Sequence, residues 1–276
     1  MNIFNFGATH VDLLPTKVKF GFTLAEGATH VDMPPTKVKF GFTLAEVLIT
    51  LGIIGVVAAI TIPNLISNYQ KHIVETKLKE DYSILQQMMK MSEESDTPFE
   101  MNFPDNMVGA TNWFEKYAQP YLKFARVCYN TAGCWQAKVP NKTLNGSVAY
   151  FNNTGVGIGA NIISVKLNNG SNIIFDGYGI TAILRYFGVK ISDPTSIIMF
   201  IDANGDNPPN VIGKDIYAAV YTADGIVAAG DSMTPEEVRA NCSTSSTDNN
   251  AGYYCLKQVK NNGWEIDKNV WKAKIK

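Results

Sequence analysis

The sequence predicts an α+β protein in which a long N-terminal helix packs on a small antiparallel β-sheet. Three observations support this fold class. Residues 42–62 form an apolar run with a single charge, Glu46, and no proline. Residues 64–95 continue with apolar positions spaced by three and four, which is typical of an amphipathic helix. Residues 162–229 alternate β-branched runs with Asn and Gly turn signals, which is typical of short strands.

The apolar run is long enough to cross a membrane. As a helix, the 21 residues of 42–62 would span about 31 Å, close to the hydrocarbon thickness of a bilayer. Lys37 and Lys39 precede the run, so the positive-inside rule places the N-terminus in the cytoplasm and the C-terminal domain in the periplasm or beyond. A carboxylate inside such a helix costs free energy unless it is paired, so we expect Glu46 to be functional.

One short motif begins the apolar run: residues 39–49 read KFGFTLAEVLI. This motif resembles the processing signal of type IV prepilins and type II secretion pseudopilins. The resemblance implies that a prepilin peptidase cuts between Gly41 and Phe42 and methylates the new N-terminus of Phe42. It also implies an assembly role for Glu46, four residues after Phe42, and for Pro63 at the outer end of the run. The predicted fold is therefore pilin-like.

The residues themselves agree with this resemblance. Cleavage after Gly41 would leave an ammonium group on Phe42, one helical turn from the Glu46 carboxylate. Between chains, Glu46 of an incoming subunit could neutralise the Phe42 ammonium of its neighbour. Because an unpaired carboxylate is costly in a low dielectric, this match would fix the axial stagger of the subunits. The alternative is an ordinary signal anchor with a snorkelling glutamate.

The N-terminal leader contains a tandem duplication. Residues 7–26 and 27–46 are near-identical 20-residue copies, and both end in the processing motif. Only the second copy continues into apolar sequence, so we interpret Gly21–Phe22 as a decoy. Translation from Met33 would give a nine-residue leader, and a short basic leader of this kind is what the family shows. In either case residues 1–41 are targeting sequence and are expected to be removed.

The remaining chain divides into three predicted segments. Residues 42–63 are the transmembrane and filament-core helix, residues 64–95 its amphipathic continuation, and residues 96–276 a globular α+β domain outside the membrane. Pro63 lacks the N–H that would bond the carbonyl of Ala59, so a kink or loosening is expected there. The apolar side chains of the amphipathic part expected to lie on the sheet are Leu65, Tyr69, Ile73, Leu78, Tyr82, Leu85 and Met89.

Within the globular domain, a second helix is predicted over Thr111–Lys123, with a break at Pro120. The short segments that follow are separated by tight turn signals, and consecutive strands with such turns favour an antiparallel sheet. The predicted strands are Ile162–Leu167, Asn172–Asp176, Ile197–Asp202, Asp215–Thr222 and Ile226–Ala229.

All four cysteines lie in the part of the chain expected to be exported, which suits an oxidising compartment. Four cysteines permit three pairings. The local pairings are preferred, Cys128–Cys134 across a Gly-containing turn and Cys242–Cys255 around a Ser/Thr/Asn segment, because short loops close most easily.

One loop suggests a metal. Asp202, Asn204 and Asp206 place oxygen side chains at alternate positions, as in the first half of an EF-hand loop, and Asp215 could complete the shell. The sixth and twelfth positions depart from that motif. The stretch through Asp215 nevertheless resembles the calcium loop of some pseudopilins, so structural calcium is the one cofactor considered. The alternative is a turn closed by Asx hydrogen bonds.

Composition excludes several function classes. The net charge of −1 and the absence of a basic run argue against nucleic-acid binding. Only His72 lies outside the leader, and no nucleophile–base–orienter group occurs, so no catalytic residue and no enzyme are predicted. We expect a structural subunit of a helical filament rooted in the bacterial inner membrane by a single pass.

The resemblance implies the partners of such a subunit: the prepilin peptidase, other pilin or pseudopilin subunits, an inner-membrane assembly platform and an ATPase. The preferred role is a type II secretion pseudopilin in protein export. A type IV pilin for adhesion, motility or DNA uptake is the first alternative. The second is a membrane-tethered calcium- or sugar-binding module that never polymerises.

Overall fold

A computed structural model of the chain describes residues 41–95, 106–131, 134–135, 141–149 and 162–275. The chain divides into two units, residues 1–54 and 55–276. The duplicated leader, with its decoy site and the start proposed at Met33, lies outside the described residues, and those predictions stay predictions.

The predicted long helix is confirmed. Helix α1 runs over Leu44–Glu93, 50 residues, and continues through Pro63. The proline therefore removes one backbone donor without ending the helix. Two side chains beside it bond carbonyls one turn earlier: Thr61 Oγ1 donates to the Val57 carbonyl at 2.8 Å, and Asn64 Nδ2 donates to the Ile60 carbonyl at 3.3 Å.

The predicted antiparallel sheet is also confirmed. It has six strands whose spatial order follows the chain, β1-β2-β3-β4-β5-β6, and every neighbouring pair is antiparallel. Tight turns permit this meander, as at Asn169-Gly170 between β2 and β3, where Gly170 has a φ of 91°. The strands are β1 (Phe124–Tyr129), β2 (Ile163–Leu167), β3 (Asn172–Gly179), β4 (Thr195–Asp202), β5 (Ile216–Thr222) and β6 (Gly225–Ala228).

One local prediction was wrong in part, and one strand was missed. The helix predicted over Thr111–Lys123 begins earlier, as the α-helix α2 (Met107–Trp113), and continues as a π-helix (Phe114–Ala118) and a 3₁₀ turn (Gln119–Tyr121), with the break at Pro120 as predicted. The 3₁₀ turn contains Pro120, which cannot donate to a continuing helix. The strand that follows, β1, was not predicted at all, although it pairs with β2 and contains Cys128.

Successive side chains of the strands face opposite sides of the sheet, and both sides are packed. On β4, Ile197, Met199 and Ile201 belong to the core that α1 covers, whereas Ile198 and Phe200 belong to a second core on the opposite face. Because both faces are buried, the strand reads as a continuous apolar run.

Helix α1 packs on the sheet through a stripe spaced by four and three residues: Leu78, Tyr82, Leu85 and Met89 are buried. The first part of the predicted stripe was assigned wrongly. Leu65 and Tyr69 are 70% and 65% exposed. Periodicity predicted the correct helix, but not where along it the domain begins.

Further short helices complete the domain, two between β3 and β4 and three after the sheet. A π-helix at Ile183–Phe187 contributes Phe187 to the second core. The remaining helices are α3 (Ile180–Ala182), α4 (Pro235–Asn241), α5 (Cys255–Asn261) and α6 (Lys268–Lys272).

Candidate assembly and membrane-anchoring site

The first turn of α1 is closed by reciprocal hydrogen bonds between Thr43 and Glu46. The Glu46 carboxylate accepts bonds from the Thr43 backbone N–H and hydroxyl, both at 2.8 Å, and the Thr43 hydroxyl accepts one from the Glu46 N–H at 3.2 Å. This is a capping box, in which two side chains satisfy backbone donors that a helix start leaves unpaired. Glu46 is fully exposed, so its carboxylate is accessible to a further partner.

The apolar side chains that follow have no core of their own. From Leu44 to Ile66 no residue is buried, and leucine, isoleucine and valine side chains are 41–79% exposed. The helix contains a window with a mean hydropathy of 2.4, long and apolar enough to cross a membrane, and none of that window is buried. Exposing such an apolar surface to water costs free energy, so this part of the helix requires contact with lipid or with another protein.

The predicted assembly residues are thus placed on one helix and its approach. Gly41 and Phe42 immediately precede α1, Glu46 is in its first turn, and Pro63 lies inside it. Phe42 is 89% exposed. Their roles in cleavage, methylation and register stay predictions.

The predicted calcium loop has internal partners for its carboxylates. Asp202 Oδ2 accepts a hydrogen bond from Trp135 Nε1 at 2.5 Å, and Asp206 is paired with Lys166 at 2.6 Å. Asp215 is fully buried and accepts bonds from the backbone N–H groups of Asn210 and Val211, both at 2.7 Å; burial raises its pKa to about 6.

Of the four predicted ligands, the structure brings Asn204 and Asp215 into hydrogen-bond contact. Within the described ranges, no three Asp, Glu, His or Cys side chains are grouped so that they could hold a metal ion. In this loop the carboxylates of Asp202, Asp206 and Asp215 each have a protein partner. Calcium binding itself stays a prediction.

Both predicted disulfides are present, Cys128–Cys134 and Cys242–Cys255. The second closes a loop over residues 242–255, where buried Asn241 organises the backbone. Asn241 Nδ2 donates to the Asn250 carbonyl at 3.0 Å, and Asn241 Oδ1 accepts from the Tyr254 N–H at 3.0 Å.

Sequence reasoning missed one feature that fixes α1. Residues 264–275, which we call the C-terminal strap, lie along the helix. The Ile266 N–H donates to Glu75 Oε1 at 2.7 Å, and Trp271 Nε1 donates to the carbonyl and the hydroxyl of Ser67, both at 3.0 Å. The strap has no periodic pattern, so no local signal in the sequence indicates where it packs.

Comparison with known proteins identifies the N-terminal part of this arrangement. A family model described as the prokaryotic N-terminal methylation motif matches residues 36–62. The chain carries a type IV prepilin-like signal. A second model, described as a family of unknown function (DUF6613), matches residues 64–176. Neither the curated proteins nor the solved structures include a match to this chain.

The prepilin-like signal covers the capping box and most of the exposed apolar part of α1. It supports a type IV pilin- or pseudopilin-like subunit that is anchored in a membrane by residues near its N-terminus. The signal implies processing by prepilin peptidase and assembly with other pilin subunits. Proteins of this kind are typically structural.

Proposed function

We propose that this chain is a structural subunit of a helical filament rooted in the bacterial inner membrane. The observation that carries the proposal is that residues 44–66 follow a prepilin-like signal and bury none of their side chains. In the unassembled subunit these side chains contact lipid. In the filament they contact the equivalent helices of neighbouring subunits, so the apolar surface stays out of water in both states.

Glu46 supplies the specificity of assembly in this proposal. Cleavage between Gly41 and Phe42 frees an ammonium group, and the Glu46 carboxylate of the next subunit pairs with it. Within one chain the Glu46 carboxylate accepts two bonds from Thr43 but remains fully exposed, so it retains lone pairs for this partner. A subunit at the wrong axial position leaves the charges unpaired in an apolar surrounding, which is costly.

The direction of insertion follows from the charges. Lys37 and Lys39 keep the N-terminus in the cytoplasm, and the disulfide-bonded domain lies in the periplasm, an oxidising compartment. Extraction from the bilayer exchanges lipid contacts for protein contacts, so we propose that an inner-membrane platform and a cytoplasmic ATPase drive it.

Among filament systems, we propose a type II secretion pseudopilin that acts in protein export. The loop from Asp202 to Asp215, which resembles the calcium loop of some pseudopilins, supports this choice. A type IV pilin is the alternative. Deletion of the gene separates the two: loss of specific proteins from the culture supernatant supports the pseudopilin, whereas loss of adhesion, motility or DNA uptake with normal secretion supports the pilin.

The filament proposal is tested by Glu46→Ala in a strain that contains the peptidase and the assembly machinery. Intact-mass measurement should give a methylated chain that begins at Phe42, while the sheared filament fraction should lose the variant at least ten-fold. Glu80→Ala is the matched control, because Glu80 is an exposed acid further along α1 and should not affect incorporation.

Two results would overturn the proposal. One is a mature chain that keeps Lys37 and Lys39 and is dispersed singly in the membrane. The other is a Glu46→Ala chain that enters filaments as well as the wild type does. A processed chain that is never found in filaments would favour a tethered binding module instead.

A further inference from the structure

Helix α1 places the C-terminal strap close to the end of the apolar run. The run ends at Ile62, and Ser67, which accepts the hydrogen bonds of Trp271, lies about 7.5 Å further along the helix. The headgroup layer of a bilayer is about 5–7 Å thick on each side. We propose that the strap lies on the outer surface of this membrane and binds anionic phospholipid headgroups.

The charge of the strap matches such a surface. Lys268, Lys272 and Lys274 are exposed, and none of the three forms an ion pair within the described part of the chain. The strap also contains two acids, so its three lysines are in excess. The Asp267 carboxylate accepts hydrogen bonds from backbone N–H groups at the start of α6, at 2.7 and 3.3 Å, and Glu265 is exposed. Each lysine near an anionic membrane strengthens binding about five-fold.

A groove between the strap and α1 offers a second element of the same site. Its volume is about 490 Å³, within the range of small-ligand pockets. One wall is Lys214, whose Nζ donates to the Ala273 carbonyl at 2.8 Å and lies 5.7 Å from the Trp271 ring centroid. Burial lowers the pKa of Lys214, so an anion in the groove would favour its charged form. The polar and aromatic lining includes Ser67, Gln70, Lys77, Asn204, Lys214 and Trp271.

The exposed side chains of α1 beside the strap fit the same interface. Leu65, Ile66 and Tyr69 are 70%, 50% and 65% exposed, and they flank the point where Trp271 contacts the helix. Apolar residues followed by Tyr, Trp and Lys are the usual order from the hydrocarbon to the headgroup layer. A headgroup interface therefore accounts for the apolar exposure that the sheet does not cover.

This inference rests on the membrane insertion in the proposed function, but not on filament assembly. Binding of headgroups by the strap would hold the domain at the bilayer before assembly, with α1 fixed from Ser67 onward. Extraction of the subunit would have to release it. The strap would thus contribute to the energy that the assembly machinery must supply.

The test is a lysine footprint of the full processed chain in nanodiscs of phosphatidylcholine, with and without phosphatidylglycerol. Acetylation by a water-soluble succinimidyl ester is followed by mass spectrometry. We expect the acetylation rates of Lys268, Lys272 and Lys274 to fall about five-fold or more with phosphatidylglycerol, and to recover in high salt. Exposed lysines elsewhere in the same chain, Lys79, Lys90 and Lys190, are internal controls and should not change.

Variants assign the effect to the strap. The triple variant K268Q/K272Q/K274Q should show the same amide hydrogen exchange over residues 264–275 in both kinds of nanodisc, whereas wild type and K79Q/K90Q/K190Q should be protected by phosphatidylglycerol. Equal footprints of the wild type in both lipids overturn this inference alone. A chain that does not enter nanodiscs overturns it together with the membrane insertion of the proposed function.

Discussion

The two parts of helix α1 have opposite surroundings, although they form one continuous element. Residues 44–66 are the more apolar, yet none of their side chains is buried, whereas in residues 67–93 Leu78, Leu85 and Met88 are completely buried. Apolar content therefore does not decide burial within the chain. Pattern does, because a stripe spaced by three and four fits one sheet face, while a helix that is apolar all round has no polar side to offer water.

The acidic residues of the two parts also differ in exposure and in their partners. Glu46 is exposed in the first turn, where its side chain is hydrogen-bonded to Thr43. Asp81 is completely buried between α1 and the β2–β3 turn and accepts a hydrogen bond from Asn169 Nδ2 at 2.7 Å. One acid is available to another chain, and the other joins two elements of the same domain.

The largest expected contrast comes from matched truncations in the two parts. Leu85→Ala should lower the free energy of unfolding by about 2–5 kcal/mol, because it leaves a cavity in the core. Ile54→Ala should change it by less than about 0.5 kcal/mol, because Ile54 is 62% exposed in the chain. Urea unfolding of both variants in detergent measures the difference. Similar losses for the two would contradict the division of α1 into a core part and an anchoring part.

Much of this division could be predicted from the sequence. The 3–4 spacing of Leu78, Tyr82 and Leu85 predicts both the helix and the face that it buries, and five of the six strands follow from β-branched runs between turn signals. Strand β1 (Phe124–Tyr129) was missed because its short segment directly follows a helical one without a Gly or Asn boundary. Local sequence pattern therefore predicts the elements that have clear boundaries.

The remaining features depend on contacts that no local pattern encodes. Trp271 and Ser67 are 204 positions apart, so their contact is set by the tertiary fold and not by local sequence. The exposure of Leu65 and Tyr69 was likewise not predictable, because periodicity does not indicate where the domain ends along the helix. At the candidate calcium loop, Asp202, Asn204 and Asp206 do occupy alternate positions. The carboxylates of Asp202 and Asp206, however, contact Trp135 and Lys166, which lie far away in the sequence and which no local pattern indicates.

The buried carboxyl group of Asp81 predicts how the stability of the core part of α1 depends on pH. Burial raises the pKa of Asp81 to about 6, although the hydrogen bond from Asn169 opposes the shift. Because the folded pKa exceeds the unfolded one, the proton stabilises the fold fully below pH about 4, and that stability is lost as the pH rises through about 6. Asp81→Asn removes this loss, so the variant should gain about 1–1.5 kcal/mol relative to wild type between pH 5 and pH 8.

Thermal unfolding across this pH range is the measurement. Glu94→Gln is the control, since Glu94 is an exposed acid just past the end of the same helix, about 20 Å from Asp81, and should leave the pH dependence unchanged. Asp176 and Asp215 also have pKa values raised to about 6, so part of the pH dependence should remain in the Asp81 variant. If the variant keeps the full pH dependence of the wild type, Asp81 is already ionised in the folded core at pH 5 and burial does not raise its pKa.

The smallest effect is expected at the exposed end of α1. Thr43→Ala removes the hydroxyl that donates to Glu46 Oε2 and accepts from the Glu46 N–H, so the first turn should lose about 1 kcal/mol, with the domain unaffected. Amide hydrogen exchange in detergent should accelerate at Glu46 and Val47 by about five-fold, whereas Leu78 and Leu85 keep their protection. Thr43→Ser retains the hydroxyl and should behave as wild type. Acceleration that extended to Leu85 would mean that the two parts of α1 unfold as one unit, and the distinction between an anchoring part and a core part would then be one of exposure only.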